Sequence, residues 1–267
     1  MPQESDPTNL VLSKVEENVL FVTLNRPEKR NALGEGVVAA LRAAFEDQAE
    51  NPDIRLVVLT GQGTASFAAG GDLHEIAGIR DEAGARGLSS RVGAAFDAIR
   101  RFPAPVIAAL NGDALGGGAE LAMACDLRVM AAHARIGFLQ CRLNISTAWG
   151  GAPDLMDLVG GGRALDLLTT GRLVGAGEAV AIGLATACAG EGEDLDAAVS
   201  RLLGTISAPV HVLRGYKAMA RGRSDGMSRA NLRELETDVF IRNWLHEDHW
   251  TAADAVMARF SKAKDKV

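Results

Sequence analysis

A chain of 267 residues, 48% hydrophobic and 23% charged, can bury roughly three quarters of its unfolded surface and needs no disulfide or metal staple. Its net charge of −6 argues against a general nucleic-acid binder, because phosphate contacts call for clustered Lys and Arg. A small anionic ligand is not excluded, since a few local cations and backbone N–H groups can hold one. Cys125, Cys141 and Cys188 are odd in number and show no CxxC spacing, which gives neither a disulfide framework nor a zinc site and fits a reducing compartment. The start, Met1 to Pro7, is polar and acidic, so no signal peptide is expected. No stretch reaches about 18 consecutive apolar residues, so no membrane span is expected either and the default location is cytoplasmic.

In chain order, Val19 to Leu24 is β-branched and apolar and predicts a strand ended by Asn25-Arg26-Pro27. Leu33 to Glu50 predicts a helix, with Val37, Val38, Leu41, Ala44 and Phe45 recurring near helical spacing. Leu56 to Thr60 is too apolar to alternate and reads as a strand buried on both faces. A second helix is expected over Leu88 to Arg101, a buried strand over Val106 to Leu110, a short helix over Ala119 to Cys125 and a strand over Leu127 to Met130. From residue 19 to 190 strands and helices alternate, which predicts an α/β fold. From Leu195 the chain turns helical, with apolar residues at three- and four-residue spacing over Asn231 to Trp250 and Thr251 to Phe260.

Three segments bear chemistry. Ser66 to Leu73 feeds a strand into small residues, which lets backbone N–H groups approach a ligand because no Cβ intervenes. A tight turn with close packing is the alternative. Gly116-Gly117-Gly118 precede the short helix, and three glycines cost conformational entropy that ligand contact at a helix start could offset. Glu120 follows in the first turn, where a carboxylate also simply complements the helix dipole. Ile136 to Gly151 reads as a strand and a loop.

Taken in order, these segments resemble the crotonase superfamily (enoyl-CoA hydratase/isomerase). The resemblance runs from about residue 10 to residue 260. It includes Leu24-Asn25-Arg26-Pro27-Glu28-Lys29-Arg30-Asn31-Ala32-Leu33, close to that family's first acyl-CoA-contacting loop, then Phe67 to Leu73, Gly116 to Leu121 and Ala124-Cys125-Asp126-Leu127. It implies a ββα spiral core over residues 1–195 and a C-terminal helical region over 196–267 that assembles homotrimers or dimers of trimers. It also implies an acyl-CoA thioester substrate and no separate cofactor, coenzyme A being part of the substrate. Gly71 and Gly117 are the expected oxyanion-hole donors and Glu120 the acid–base group. Arg26, Lys29, Ala32, Ala69, Gly71, Asp72, Leu73 and Gly117 are the expected substrate contacts.

One position departs from the pattern. The hydratases carry a second glutamate in the third segment, and counting back from Gly150-Gly151 that position is Gln140. An amide orients water but accepts no proton at neutral pH. Asn144 and Thr147 likewise replace the usual Gly and Pro of that loop. The expected enzyme is therefore a hydratase/isomerase-type lyase with Glu120 central and Gln140 beside it. Single-carboxylate isomerisation, decarboxylation of a malonyl-type thioester, and a non-catalytic acyl-CoA binder stay open. A nucleotide-dependent oxidoreductase is disfavoured, because the third glycine of a Gly61-Gln62-Gly63 fingerprint is Ser66. Asp126 and Arg128 are expected to be a structural pair, Trp149 to be packing or an acyl-pocket wall, and His74 to be a surface residue.

Overall fold

The computed structural model describes residues 9–264, so the Met1 to Pro7 segment lies outside the described residues. Two compact units are present, one ending at Ser207 and one beginning at Ala208.

The first unit is built from a repeated strand–strand–helix turn. β1 (Val11–Glu16) and β2 (Val19–Leu24) form an antiparallel hairpin, with Val11 opposite Leu24 and Glu16 opposite Val19. Three strand pairs follow: β3 (Leu56–Gly61) with β4 (Ser66–Ala68), β5 (Val106–Leu110) with β6 (Asp113–Leu115), and β7 (Leu127–Met130) with β8 (Arg135–Gly137). The first strand of each pair joins a large sheet of order β1-β2-β3-β5-β7-β10, where β10 is Ala187–Cys188. The second joins a small sheet of order β4-β6-β8-β9, where β9 is Val174–Gly175. β2, β3, β5, β7 and β10 run parallel to one another, with β1 antiparallel at the edge. β3 and β5 are apolar apart from Thr60 because both faces are covered: every residue of β5 is buried, as is all of β3 except Thr60.

The helices start where local chemistry permits. α1 (Glu35–Glu46) turns Val37, Val38, Leu41 and Phe45 inward, and the expected extension to Glu50 is instead a run of turns. A four-residue α2 (Leu73–Ile76) follows β4. α3 (Glu82–Arg100) begins six residues before the expected Leu88, because the Asp81 side chain accepts from Gly84 N–H at 2.7 Å and caps it. α4 (Gly117–Met123) likewise starts two residues early, on its glycines, and is buried along its whole length. α5 (Gly151–Val159), α6 (Gly161–Thr170), α7 (Ala176–Ala181) and α8 (Leu195–Thr205) complete the unit. α8 packs on β5, β7 and β10, so the unit carrying the sheets runs past residue 195 to Ser207. β1 carries no apolar alternation, and only Val11 is buried. It is placed by a two-residue turn, Glu17-Asn18, in which both residues have positive φ (47° and 65°), the geometry that matches strand twist in tight hairpins.

The second unit contains α9 (Val210–Ser224), α10 (Arg229–Trp244) and α11 (Glu247–Lys264). The break between the last two falls at Leu245-His246, not after Trp250 as the periodicity predicted. Gly215 lets α9 and α10 meet closely, since a Cβ there would run into the Val239 side chain.

Two buried asparagines pin the loop that leaves β3. Asn31, with φ of 55°, accepts from Arg26 N–H at 3.1 Å and donates to Ser66 O at 2.8 Å. Asn111 accepts from Gly61 N–H at 3.0 Å and donates to Gly63 O at 2.8 Å and to the same Ser66 O at 3.1 Å. Replacing Asn111 with Ala strands these buried groups, so Asn111→Ala is expected to lower stability by about 2–3 kcal/mol. Urea unfolding measures this; a loss below about 0.5 kcal/mol would show that the loop holds without the pin.

Candidate active site

A cleft of about 670 Å³ lies at the C-terminal ends of β4 and β6. Ala69, Gly70, Gly71 and Leu73 line one side, Gly116, Gly117 and Glu120 the floor, and Gln140, Arg142 and Trp149 the other side. Apolar side chains, including Ile76, Ile79, Leu88, Leu143 and Ile145, supply much of the remaining wall.

The two glycine segments are held against each other main chain to main chain. A Cβ on Gly70 would sit 3.0 Å from Leu115 O and 3.2 Å from Gly117 N, and one on Gly118 would run into the Ala68 carbonyl. Gly70 (φ 99°) and Gly116 (φ 53°) also occupy the left-handed half of backbone space. On the outer side, Leu33 N–H donates to Gly70 O at 2.8 Å and Asp72 N–H donates to Leu33 O at 3.3 Å. This pairing leaves the Gly71 N–H, between them, out of the ladder. The Gly117 N–H is the first of α4 and has no intrahelical acceptor. Neither N–H has a protein acceptor among the described residues, and both glycines line the cleft. The Trp149 indole lies over both: a Cβ on Gly117 would run into its ring, and one on Gly71 would be 3.4 Å from Cη2.

Glu120 is 2% exposed. Its Oε2 accepts from Trp149 N–H at 2.9 Å and Gly151 N–H at 3.1 Å, and its Oε1 accepts from Gln140 Nε2 at 2.8 Å. Burial pushes the carboxyl up, and the hydrogen bonds from Trp149, Gly151, Gln140 and Ala148 only partly offset that, so its pKa is raised. Gly151 must be glycine, because a Cβ there would run into Glu120 Cγ. Arg100 secures this corner from behind, donating to Trp149 O at 2.8 Å and to Asp154 Oδ2 at 2.7 Å. With Glu120 Oε1 already taking its Nε2, the Gln140 side chain leaves its own Oε1 buried and without a partner.

The structure thus brings Ala69, Gly71, Leu73, Gly117, Glu120 and Gln140 to one cleft. Four expected contacts are not in its lining. Arg26 and Asp72 are committed to each other at 2.8 Å, and Asp72 also caps α2 by accepting from His74 N–H at 3.1 Å. Burial raises the Asp72 carboxyl, but the Arg26 hydrogen bond, the His74 N–H, the Arg26 charge and the Glu75 N–H together bring its pKa below the ordinary value. Lys29 is exposed on the turn after Pro27, and Ala32 is half-buried beside it. Asp126 and Arg128 are structural, as expected, but through the backbone: Asp126 accepts from Val106 N–H, while Arg128 donates to the carbonyls of Ala122, Cys125, Asp126 and Leu184. Arg128 thereby closes the C-terminal end of α4. Sequence reading passed over Arg100 and Arg142, since nothing in their spacing marks them.

Residues 14–260 match the family model described as enoyl-CoA hydratase/isomerase. The chain is 34% identical over 259 residues to a short-chain-enoyl-CoA hydratase of Clostridium acetobutylicum, covering 96% of each. It is 35% identical over 234 residues to a crotonyl-CoA hydratase of Syntrophomonas wolfei, covering 87% of this chain and 88% of that one. Among solved structures, an enoyl-CoA hydratase from Bacillus anthracis superposes with a TM-score of 0.85 at 29% identity, covering 94% of this chain and 96% of that one. The family model, the relatives and the fold therefore define an enzyme of the crotonase type, mixed α/β with C-terminal helices. The chain belongs to the enoyl-CoA hydratase/isomerase family.

A group whose folded pKa is raised is protonated at pH values where free glutamate is ionised. If Glu120 must be ionised to act, kcat/KM is expected to rise with pH along an acid limb displaced above the ordinary glutamate value of about 4.3. A pH profile measures it; a limb at or below that value would contradict the burial argument.

Proposed function

We propose that the Gly71 and Gly117 N–H groups bind the thioester carbonyl oxygen of an enoyl-CoA and that Glu120 moves the proton at its α or β carbon. Two preorganised donors favour negative charge developing on that oxygen, and losing one such donor typically costs about 2.7–4 kcal/mol of transition-state stabilisation. The observation that supports this best is the pair of N–H groups without acceptors lining the same cleft as a buried carboxylate. Because three main-chain or amide donors hold the carboxylate, its position is set before substrate arrives.

Glu120 is then the sole proton acceptor assigned to the reaction, and Gln140 orients it through Nε2. In hydration, the water oxygen bonds to the β carbon while its proton passes to Glu120, and the protonated Glu120 then gives that proton to the enolate at the α carbon, which restores the carboxylate. With an amide at position 140 the water lacks a second carboxylate, so a reaction needing one base, double-bond isomerisation above all, is favoured over fast hydration. Lys29 and Ala32 contact the CoA portion, and the Arg26–Asp72 pair holds their loop. Coenzyme A enters as part of the substrate and no other cofactor takes part.

An assay panel of crotonyl-CoA, a 3-enoyl-CoA and methylmalonyl-CoA tests this reading. Glu120→Gln is expected to reduce every activity by at least about 100-fold, and Gln140→Glu to raise crotonyl-CoA hydration by about tenfold or more. Crotonyl-CoA hydration that survives Glu120→Gln would eliminate the assigned role.

The enzyme works in the cytoplasm, and copies assemble as a trimer or a dimer of trimers through the C-terminal helices. Phe240, Ile241, Trp244, Leu245 and Trp250 are exposed there, an apolar cluster of the kind that marks an interface. Sedimentation equilibrium is expected to give three or six chain masses; a monomer at micromolar concentration would count against it.

A further inference from the structure

Most arginines near the cleft are paired. Arg26 meets Asp72 at 2.8 Å, Arg100 meets Asp154 at 2.7 Å, and Arg91 approaches Glu35 at 3.8 Å. Arg142 differs. It stands in the 3₁₀ turn Leu139–Leu143, two residues after Gln140, and lines the cleft. One guanidinium nitrogen donates to Gly171 O at 2.8 Å, which anchors the head. No carboxylate among the described residues lies within 4.0 Å of it, and its other N–H donors are left for a ligand.

The surroundings sharpen the point. Next to it, position 140 carries a neutral amide, and both oxygens of Glu120 are engaged by Gln140, Trp149 and Gly151. No acidic side chain of the cleft therefore competes for the Arg142 charge. The neighbouring wall is apolar, with Leu139, Leu143, Ile145 and Trp149, so this side of the cleft is a hydrophobic surface ending in one anchored cation. A guanidinium presents several N–H groups in one plane and matches a carboxylate with two parallel bonds.

We infer that the acyl group of the substrate carries a second carboxylate, bound by Arg142, so that the substrate class is the monothioester of a dicarboxylic acid. This rests on the reading that the cleft holds an acyl-CoA. The same guanidinium chemistry would suit a phosphate of coenzyme A, so the test compares thioesters that share coenzyme A and differ at the far end of the acyl group.

Calorimetric titration with succinyl-CoA, glutaryl-CoA and butyryl-CoA separates the two. The wild-type enzyme is expected to bind one of the carboxylated thioesters roughly 10- to 100-fold more tightly than butyryl-CoA, the range for a hydrogen bond between charged groups. Arg142→Gln is expected to bring that ratio close to one, and Arg142→Lys to retain part of it. A wild-type ratio near one overturns the proposal. So does an equal loss for all three thioesters in Arg142→Gln, which would put Arg142 on the coenzyme A portion. These measurements need no turnover. A failure here therefore leaves the Glu120 assignment standing, and a failure of that assignment shows only in the kinetics of Glu120→Gln.

Discussion

The structure depends on a close main-chain approach between the segment leaving β4 and the start of α4. Gly70 faces Leu115 O and Gly117 N, and Gly118 faces Ala68 O, at separations where a methyl group does not fit. Side chains cannot create this proximity; it requires glycine and a rigid frame on both sides. The small sheet supplies one part of the frame by pairing β4 with β6. The Asn31 and Asn111 side chains supply another by converging on Ser66 O. Two N–H groups are thereby left without an acceptor among the described residues, at a cost that a bound carbonyl oxygen would relieve.

A buried carboxylate beside such groups raises an electrostatic problem, because desolvation favours its neutral form. The fold answers with the Trp149 and Gly151 N–H groups and the Gln140 amide, which lower the pKa but do not cancel the rise. The residue that replaces a second glutamate thus has a direct structural task. Gln140 holds Glu120 and leaves its own Oε1 unpaired. The amide makes this side of the cleft less negative than a second carboxylate would, which is the setting in which an Arg142 with no carboxylate partner among the described residues becomes intelligible.

Much of this could be read from the sequence. β3 and β5 were legible because strands covered on both faces are almost wholly apolar, and β2 because it is β-branched and apolar. Gly71, Gly117 and Glu120 were picked out by the resemblance to the crotonase superfamily, since their segments taken alone left a tight turn and a carboxylate complementing the helix dipole open. β1 was not legible, since its residues are mostly exposed and its place comes from the Glu17-Asn18 turn. The first turns of α3 and α4 were hidden by glycines that propensity counts against a helix, yet Asp81 caps one and burial stabilises the other. Arg26 and Asp72 were expected as ligand contacts from the resemblance alone, and their pairing at 2.8 Å joins residues 46 apart that sequence does not show together. Arg100 and Arg142 went unnoticed for the complementary reason: their roles are set by carbonyls of Trp149 and Gly171, 49 and 29 residues away.

The most direct test of the central claim is vibrational. Infrared difference spectroscopy of a thioester labelled with ¹³C at the carbonyl reports how strongly that bond is polarised when bound. Two converging N–H donors should move the carbonyl stretch to lower frequency than in water. A bound thioester whose carbonyl stretch lies at or above its aqueous frequency would mean that no such donors meet it.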